Sequence, residues 1–297
     1  MSLTPIIQLA ILYACIISFM SLAFTMTFKI SGFANLSLYT LTGVGVTTSF
    51  LLKEIIGLNL YFGLIIVLLV GGVINSLLYL PLFQKIKNYS KNMFTLSLSS
   101  LVLTLLVSYS LSLFTQFLRR EIESSMWSPL KPVRNSLFPQ LYIRFSGFET
   151  EVFGIRTSTI TSILILIIIL VNNFSNIFKN RLTLEEMNEQ TVWFLIGGLV
   201  AISGTLLTAQ IAYYPGFTHY EIIITMISGS ILAGLNSTIF SIIGGLIIGF
   251  FEIMLIYYGQ AIIGIWIGEY RIVYIVLIFL TISYIKFKDI IYLNKSL

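Results

Sequence analysis

Long apolar stretches separated by isolated charges set the pattern of this chain. Charge-free runs occupy residues 1–28, 30–52, 55–84, 92–118, 157–178, 190–220, 222–251 and 272–285. Most are longer than the roughly 20 apolar residues that carry a helix across a bilayer. In lipid, backbone polar groups must be satisfied without water, which a helix does within one segment. A β-barrel would alternate apolar and polar positions, and residues 163–171, ILILIIILV, do not. The pattern predicts helices over roughly 5–28, 31–52, 58–83, 93–117, 158–178, 192–213, 222–235, 238–258 and 271–286. The seventh and ninth are short for a full crossing at 1.5 Å per residue. The expected fold is all-α: one polytopic transmembrane domain over 1–297, with about 8–9 spanning segments, some short or broken. Its apolar first stretch is too long for a signal core and has no base before Lys29, so it reads as a spanning helix.

Composition excludes what the pattern disfavours. With 57% hydrophobic and 10% charged residues, the chain cannot cover a soluble surface. It is too rich in aliphatic and aromatic residues for disorder. Lysine and arginine in short loops set orientation. Lys29, Lys85, Lys87, Lys91, Lys179, Arg181, Lys286, Lys288 and Lys295 mark one side as cytoplasmic. Lys53, Arg271 and the long loop 117–157 fall on the other. The expected topology in the cell membrane is N-terminus outside and C-terminus inside, with a short inner loop at 179–190 and an inner tail at 286–297. The net charge of +5 fits this inside bias and calls for no nucleic-acid partner.

Chemistry is sparse. There is no P-loop, no HExxH and no Cys/His cluster, so no catalytic residue, metal or cofactor is expected. His219 is the single histidine and reads as a loop residue, and Cys15 is the single cysteine. Glu252 is the one acid placed inside a spanning run. An acid there costs about 2.5 kcal/mol or more at the helix centre, so it is a functional candidate. The other reading, a position nearer the outer end where it snorkels or pairs locally, draws support from Tyr257 and Tyr258 just beyond. Gly43, Gly45, Gly244, Gly245 and Gly249 are candidates for close helix packing. The segment 32–45, GFANLSLYTLTGVG, is polar for a spanning helix and is expected to break or to line a cavity.

Three stretches resemble the permease subunits of branched-chain amino-acid ABC importers, the high-affinity leucine transport type. They are Gly32-Phe33-Ala34-Asn35-Leu36-Ser37 with Gly43-Val44-Gly45, Tyr79-Leu80-Pro81-Leu82 leading into Leu96 to Leu101, and Ala233-Gly234-Leu235-Asn236-Ser237 through Gly244-Gly245 to Glu252. Val200 to Gly204 is similar to the small-residue helix upstream of the third. The order agrees over about residues 20–286, apart from the middle. The chain departs from the pattern at Leu38, where the family has histidine, and at Leu80 and Phe83, where it has arginine. The family's basic coupling segment is matched only by residues 181–190, which are shorter and acidic.

The resemblance implies alternating access without covalent chemistry. It implies separate cytoplasmic ATP-binding subunits, a second permease subunit (identical or different), an extracytoplasmic substrate-binding protein and the bilayer as partners. Asn35, Ser37, Ser228 and Glu252 would lie on the substrate path, and Arg181, Glu185 and Glu186 would meet the ATPase. A stand-alone secondary transporter or channel, or a membrane scaffold, remains the alternative, although one intramembrane acid is thin equipment for ion coupling.

Overall fold

The computed structural model describes residues 5–90, 92–124, 150–152, 154–178, 188–209, 220–235 and 237–264; side chains 119–124, 172–178, 220–221 and 263 are excepted. The expected ninth helix, the inner tail, the centre of the long loop, most of the inner loop and His219 lie outside these residues.

The described chain is an all-α bundle. The helices are α1 (Pro5–Ser31), α2 (Thr40–Phe50), α3 (Leu60–Val73), α4 (Leu80–Tyr89), α5 (Met93–Ser124), α6 (Thr157–Phe178), α7 (Glu189–Leu207), α8 (Tyr220–Leu232) and α9 (Thr238–Ile263). A π-helical stretch, Ile74–Tyr79, joins α3 to α4, so 60–89 runs as one long helix. Among the described residues, five helices are long and apolar enough to cross a membrane, with α6 and α8 as shorter apolar ones. The sole sheet among the described residues is the two-residue hairpin β1 (Glu151–Val152) and β2 (Ile155–Arg156).

Several boundaries differ from the pattern-based expectation. α5 continues to Ser124, past the expected end near 117, so the following loop starts later. The charges of Arg119, Arg120, Glu121 and Glu123 suit a helix end that leaves the apolar layer. α7 starts at Glu189 rather than 192. There the Asn188 side chain accepts from the Gln190 N–H at 3.2 Å, and Glu189 sits in the first turn, where the helix dipole favours an acid. Glu189 therefore belongs to a helix rather than to the inner loop.

α1 is the axis. It is buried along nearly its whole length and packs against α6, α7, α8 and α9. α9 lies antiparallel to it, pairing Thr25 with Ser241, Ser18 with Ile242 and Tyr13 with Glu252. The hairpin between α8 and α9 turns through Gly234 (φ +76°) and Leu235 (φ +59°). Lipid offers no hydrophobic drive between helices, so close packing must hold them. Small residues supply it: a Cβ on Gly245 would sit 2.5 Å from the Cα of Ser18, and one on Gly249 2.8 Å from that of Ala14. A Cβ on Gly244 would strike the Gly229 carbonyl, and one on Gly45 the Ala201 carbonyl. Gly43 is buried, and its carbonyl accepts from Thr47 at 2.8 Å.

The bundle has two distinct ends. Gln8 near the start of α1 holds the hairpin, donating to the Gly154 carbonyl at 2.7 Å and accepting from the Arg156 N–H at 3.1 Å. At the other end, the Glu189 carboxylate accepts from Ser31 at 3.4 Å and from Gln84 at 3.5 Å. Lys29, Lys85 and Lys87 therefore share the second end.

Candidate functional site

The segment after α1 is broken. Gly32 takes φ +77°, its N–H capping α1 on the Phe28 carbonyl at 2.9 Å, a turn that a side chain would strain. Phe33 to Asn35 leave the helix, a 3-10 turn covers Leu36–Tyr39, and α2 follows. Non-helical backbone inside a membrane bundle needs partners from elsewhere. α5 provides them. Ser97 Oγ accepts from the Ala34 N–H at 3.2 Å and Ser100 Oγ from the Leu36 N–H at 3.0 Å. Ser100 also lies 3.2 Å from the Ala34 carbonyl as a donor. A serine pair three residues apart places both hydroxyls on one helix face. That spacing was the only sequence signal for their role.

Asn35 and Ser37 come together at this break, both fully buried. Asn35 Oδ1 accepts from the Ser37 N–H at 3.1 Å and from the Ser37 hydroxyl at 2.6 Å. Asn35 Nδ2, an amide with two N–H donors, has no hydrogen-bond partner. Thr40 continues the polar line, bonding Tyr79 at 2.8 Å, and Tyr39 bonds Ser108 on α5 at 2.9 Å.

The facing wall is the π-helical stretch. Asn75 there donates to the Trp193 carbonyl at 2.6 Å, while its own Oδ1 is buried without a partner. Asn75 can approach because a Cβ on Gly197 would collide with it. π-turns often mark functional positions in helices. Phe33, Phe83 and Trp193 stack in series, with ring centroids 4.9 and 5.9 Å apart, and tie the break to α4 and α7. Phe83, standing where the resembling family has arginine, is a wedge in this aromatic row. Trp193 Nε1 donates to Ser31 at 3.3 Å, which links the row to Glu189.

Glu252 forms a second centre. It is 3% exposed, so it does not snorkel to a polar boundary. Tyr13 donates to its Oε1 at 3.2 Å and Thr225 to its Oε2 at 3.0 Å, joining α1, α8 and α9. The partners of Glu252 were invisible in the sequence, since Tyr13 lies 239 positions away.

Ser228 joins neither centre by a side-chain bond. It is buried one turn beyond Thr225 and donates to its own helix at the Ile224 carbonyl, 2.8 Å away. Arg181, Glu185 and Glu186 lie outside the described residues. No group of three or more His, Cys, Asp or Glu side chains able to hold a metal occurs among the described residues.

Comparison with known proteins places the chain beside one curated relative. It is 23% identical over 271 residues to the probable branched-chain amino acid transport permease protein LivH of Methanocaldococcus jannaschii, covering 85% of this chain and 81% of that protein. No family model matches the chain. No solved structure matches it either. The resemblance carried by the three motifs thus extends over most of the chain, as that of a divergent relative, and the fold is that of a multi-pass membrane protein.

Proposed function

We propose that this protein is the membrane-spanning permease subunit of an ABC-type importer for branched-chain or related amino acids. The observation that carries the reading is the broken, buried segment at Gly32–Asn35, with an amide donor left open inside a bundle of spanning helices. The name of the archaeal relative supports the substrate class.

Substrate passes the break. Asn35 Nδ2 offers a hydrogen bond to a carboxylate or carbonyl oxygen, Ser37 orients Asn35, and apolar helix faces accept an aliphatic side chain. Ser228 lies on the α8 wall, and Glu252 holds α1, α8 and α9 in register beside the path. The end carrying Lys29, Lys85 and Lys87 faces the cytoplasm by the positive-inside rule, which puts the start of α1 outside. On the inner side, the loop with Arg181, Glu185 and Glu186 meets a separate ATP-binding subunit. Support for this coupling comes from the helix that follows that loop: Glu189, at the start of α7, touches Ser31 and Gln84, and Ser31 precedes the break. Movement of the loop would therefore be felt at Gly32. A second permease subunit and an outer substrate-binding protein complete the importer.

The test is uptake of labelled leucine by vesicles carrying this chain with its ATP-binding and substrate-binding partners. ATP-dependent uptake that is lost in Asn35→Ala supports the proposal. Uptake by this chain alone, without ATP and sensitive to Glu252→Gln, would instead favour an ion-coupled transporter.

A further inference from the structure

A groove of about 720 Å³ opens between the α3–α4 helix and α5. α5 packs mainly on the broken segment and diverges from α3, which leaves the groove uncovered along one side. Its walls are Leu77, Leu78 and Leu82 on one helix and Leu98, Val102 and Leu106 on the other, all strongly exposed. Its polar members, Lys85, Thr95 and Ser99, belong to the ends of the two helices nearest their connecting turn. The residues from Thr95 to Leu106 cover about 16 Å along the helix axis. Lys85 is exposed and forms no ion pair among the described residues. A comparable groove beside α6 and α7 is lined by apolar residues alone, from Leu22 to Ile202, and so carries no charge signal.

A cation and hydroxyls at one mouth of an apolar trough match one kind of molecule. We infer that this groove is a binding site for an anionic phospholipid, with the head-group phosphate at Lys85 and Thr95 and an acyl chain laid against Val102 and Leu106. The charge favours it over a zwitterionic lipid, because a basic residue near the surface attracts anionic head groups. Lys87 on the same helix is also exposed and adds positive charge at this end. The inference needs only that the bundle spans a bilayer, and it stands whether or not the transport reading does.

Mass spectrometry of the intact, detergent-purified full chain tests it, with phosphatidylglycerol and phosphatidylcholine supplied in equal amounts. Wild type should retain phosphatidylglycerol about fivefold over phosphatidylcholine. Lys85→Gln should bring that ratio near unity, and Lys85→Arg should restore it. Lys87→Gln, on the same helix but off the groove wall, should keep most of it. Val102→Trp, which fills the trough, should lower retention of both lipids. An unselective wild type, or an unchanged ratio in Lys85→Gln, overturns the inference. So does efficient disulfide pairing of two Leu106→Cys copies in lipid-replete membranes, because a second copy would then be the occupant.

Discussion

The two polar centres inside this bundle are built on opposite plans. At Glu252 the carboxyl oxygens accept from two hydroxyls, of Tyr13 and Thr225, and three helices are fastened. At Asn35 the backbone itself leaves the helix, serines of α5 replace the missing partners, and the amide Nδ2 is left over. The first centre has partners for both carboxyl oxygens. The second retains hydrogen-bonding capacity at zero exposure, which costs stability unless something uses it. Satisfied polar groups in a membrane act as fasteners, and an unsatisfied one marks where a ligand or a conformational change has work to do.

Substitutions can break this contrast, and the largest effect is expected where the first centre is held together. Gly245→Leu puts a side chain into the Cα of Ser18 and forces α1 from α9. Overpacking against backbone should cost at least about 3 kcal/mol, seen as loss of monodisperse protein on size exclusion. A well-behaved Gly245→Leu protein would show that the α1–α9 contact is not tight.

Next is Glu252→Ala, which removes the carboxyl group that Tyr13 and Thr225 donate to. A loss of about 1–3 kcal/mol is expected, read as a lower unfolding temperature in detergent. Glu252→Gln keeps an acceptor oxygen and should lose clearly less. Equal losses in the two variants would mean that the negative charge, not the hydrogen bonds, matters.

Asn35→Ala should separate stability from transport. It removes a cap worth about 1 kcal/mol but also removes the buried open donor, so the unfolding temperature should move little. Uptake should fall about tenfold or more, the equivalent of about 1.4 kcal/mol of lost recognition. Unchanged uptake would take the substrate path away from the break.

The smallest change is expected at Ser228→Ala. Among the described residues its hydroxyl bonds its own helix, so stability should stay within about 0.5 kcal/mol of wild type. If its uptake drops as far as that of Asn35→Ala, the α8 wall carries as much of the path as the break does.

Much of the fold was legible residue by residue. Charge-free runs located the helices, and Gly32 with Asn35 announced the break. Glu252 stood out because an acid inside an apolar run is costly. The partners were not legible. Thr225 and Tyr13 look like any hydroxyls on spanning helices, and what makes them relevant is contact across 27 and 239 positions. Asn75, next to Ser76, stands out little in an apolar run, and its role depends on the π-helical turn and on the absence of a side chain at Gly197. The ends of α5 and α7 also escaped the pattern, since hydropathy marks the apolar layer and not the extent of a helix beyond it.

By itself the sequence determined that this chain lives in lipid, which segments are apolar enough to cross it and where one of them breaks. Those properties follow from the cost of placing charges and unpaired backbone in hydrocarbon. The tertiary structure alone decided which helix is the axis. α5 carries many serines and threonines yet faces outward along much of its length, while the more apolar α1 is enclosed on all sides. Lipid is as apolar as leucine, so hydropathy cannot tell a protein-facing surface from a lipid-facing one. Close approach of small residues, such as Gly245 on Ser18, settles that choice.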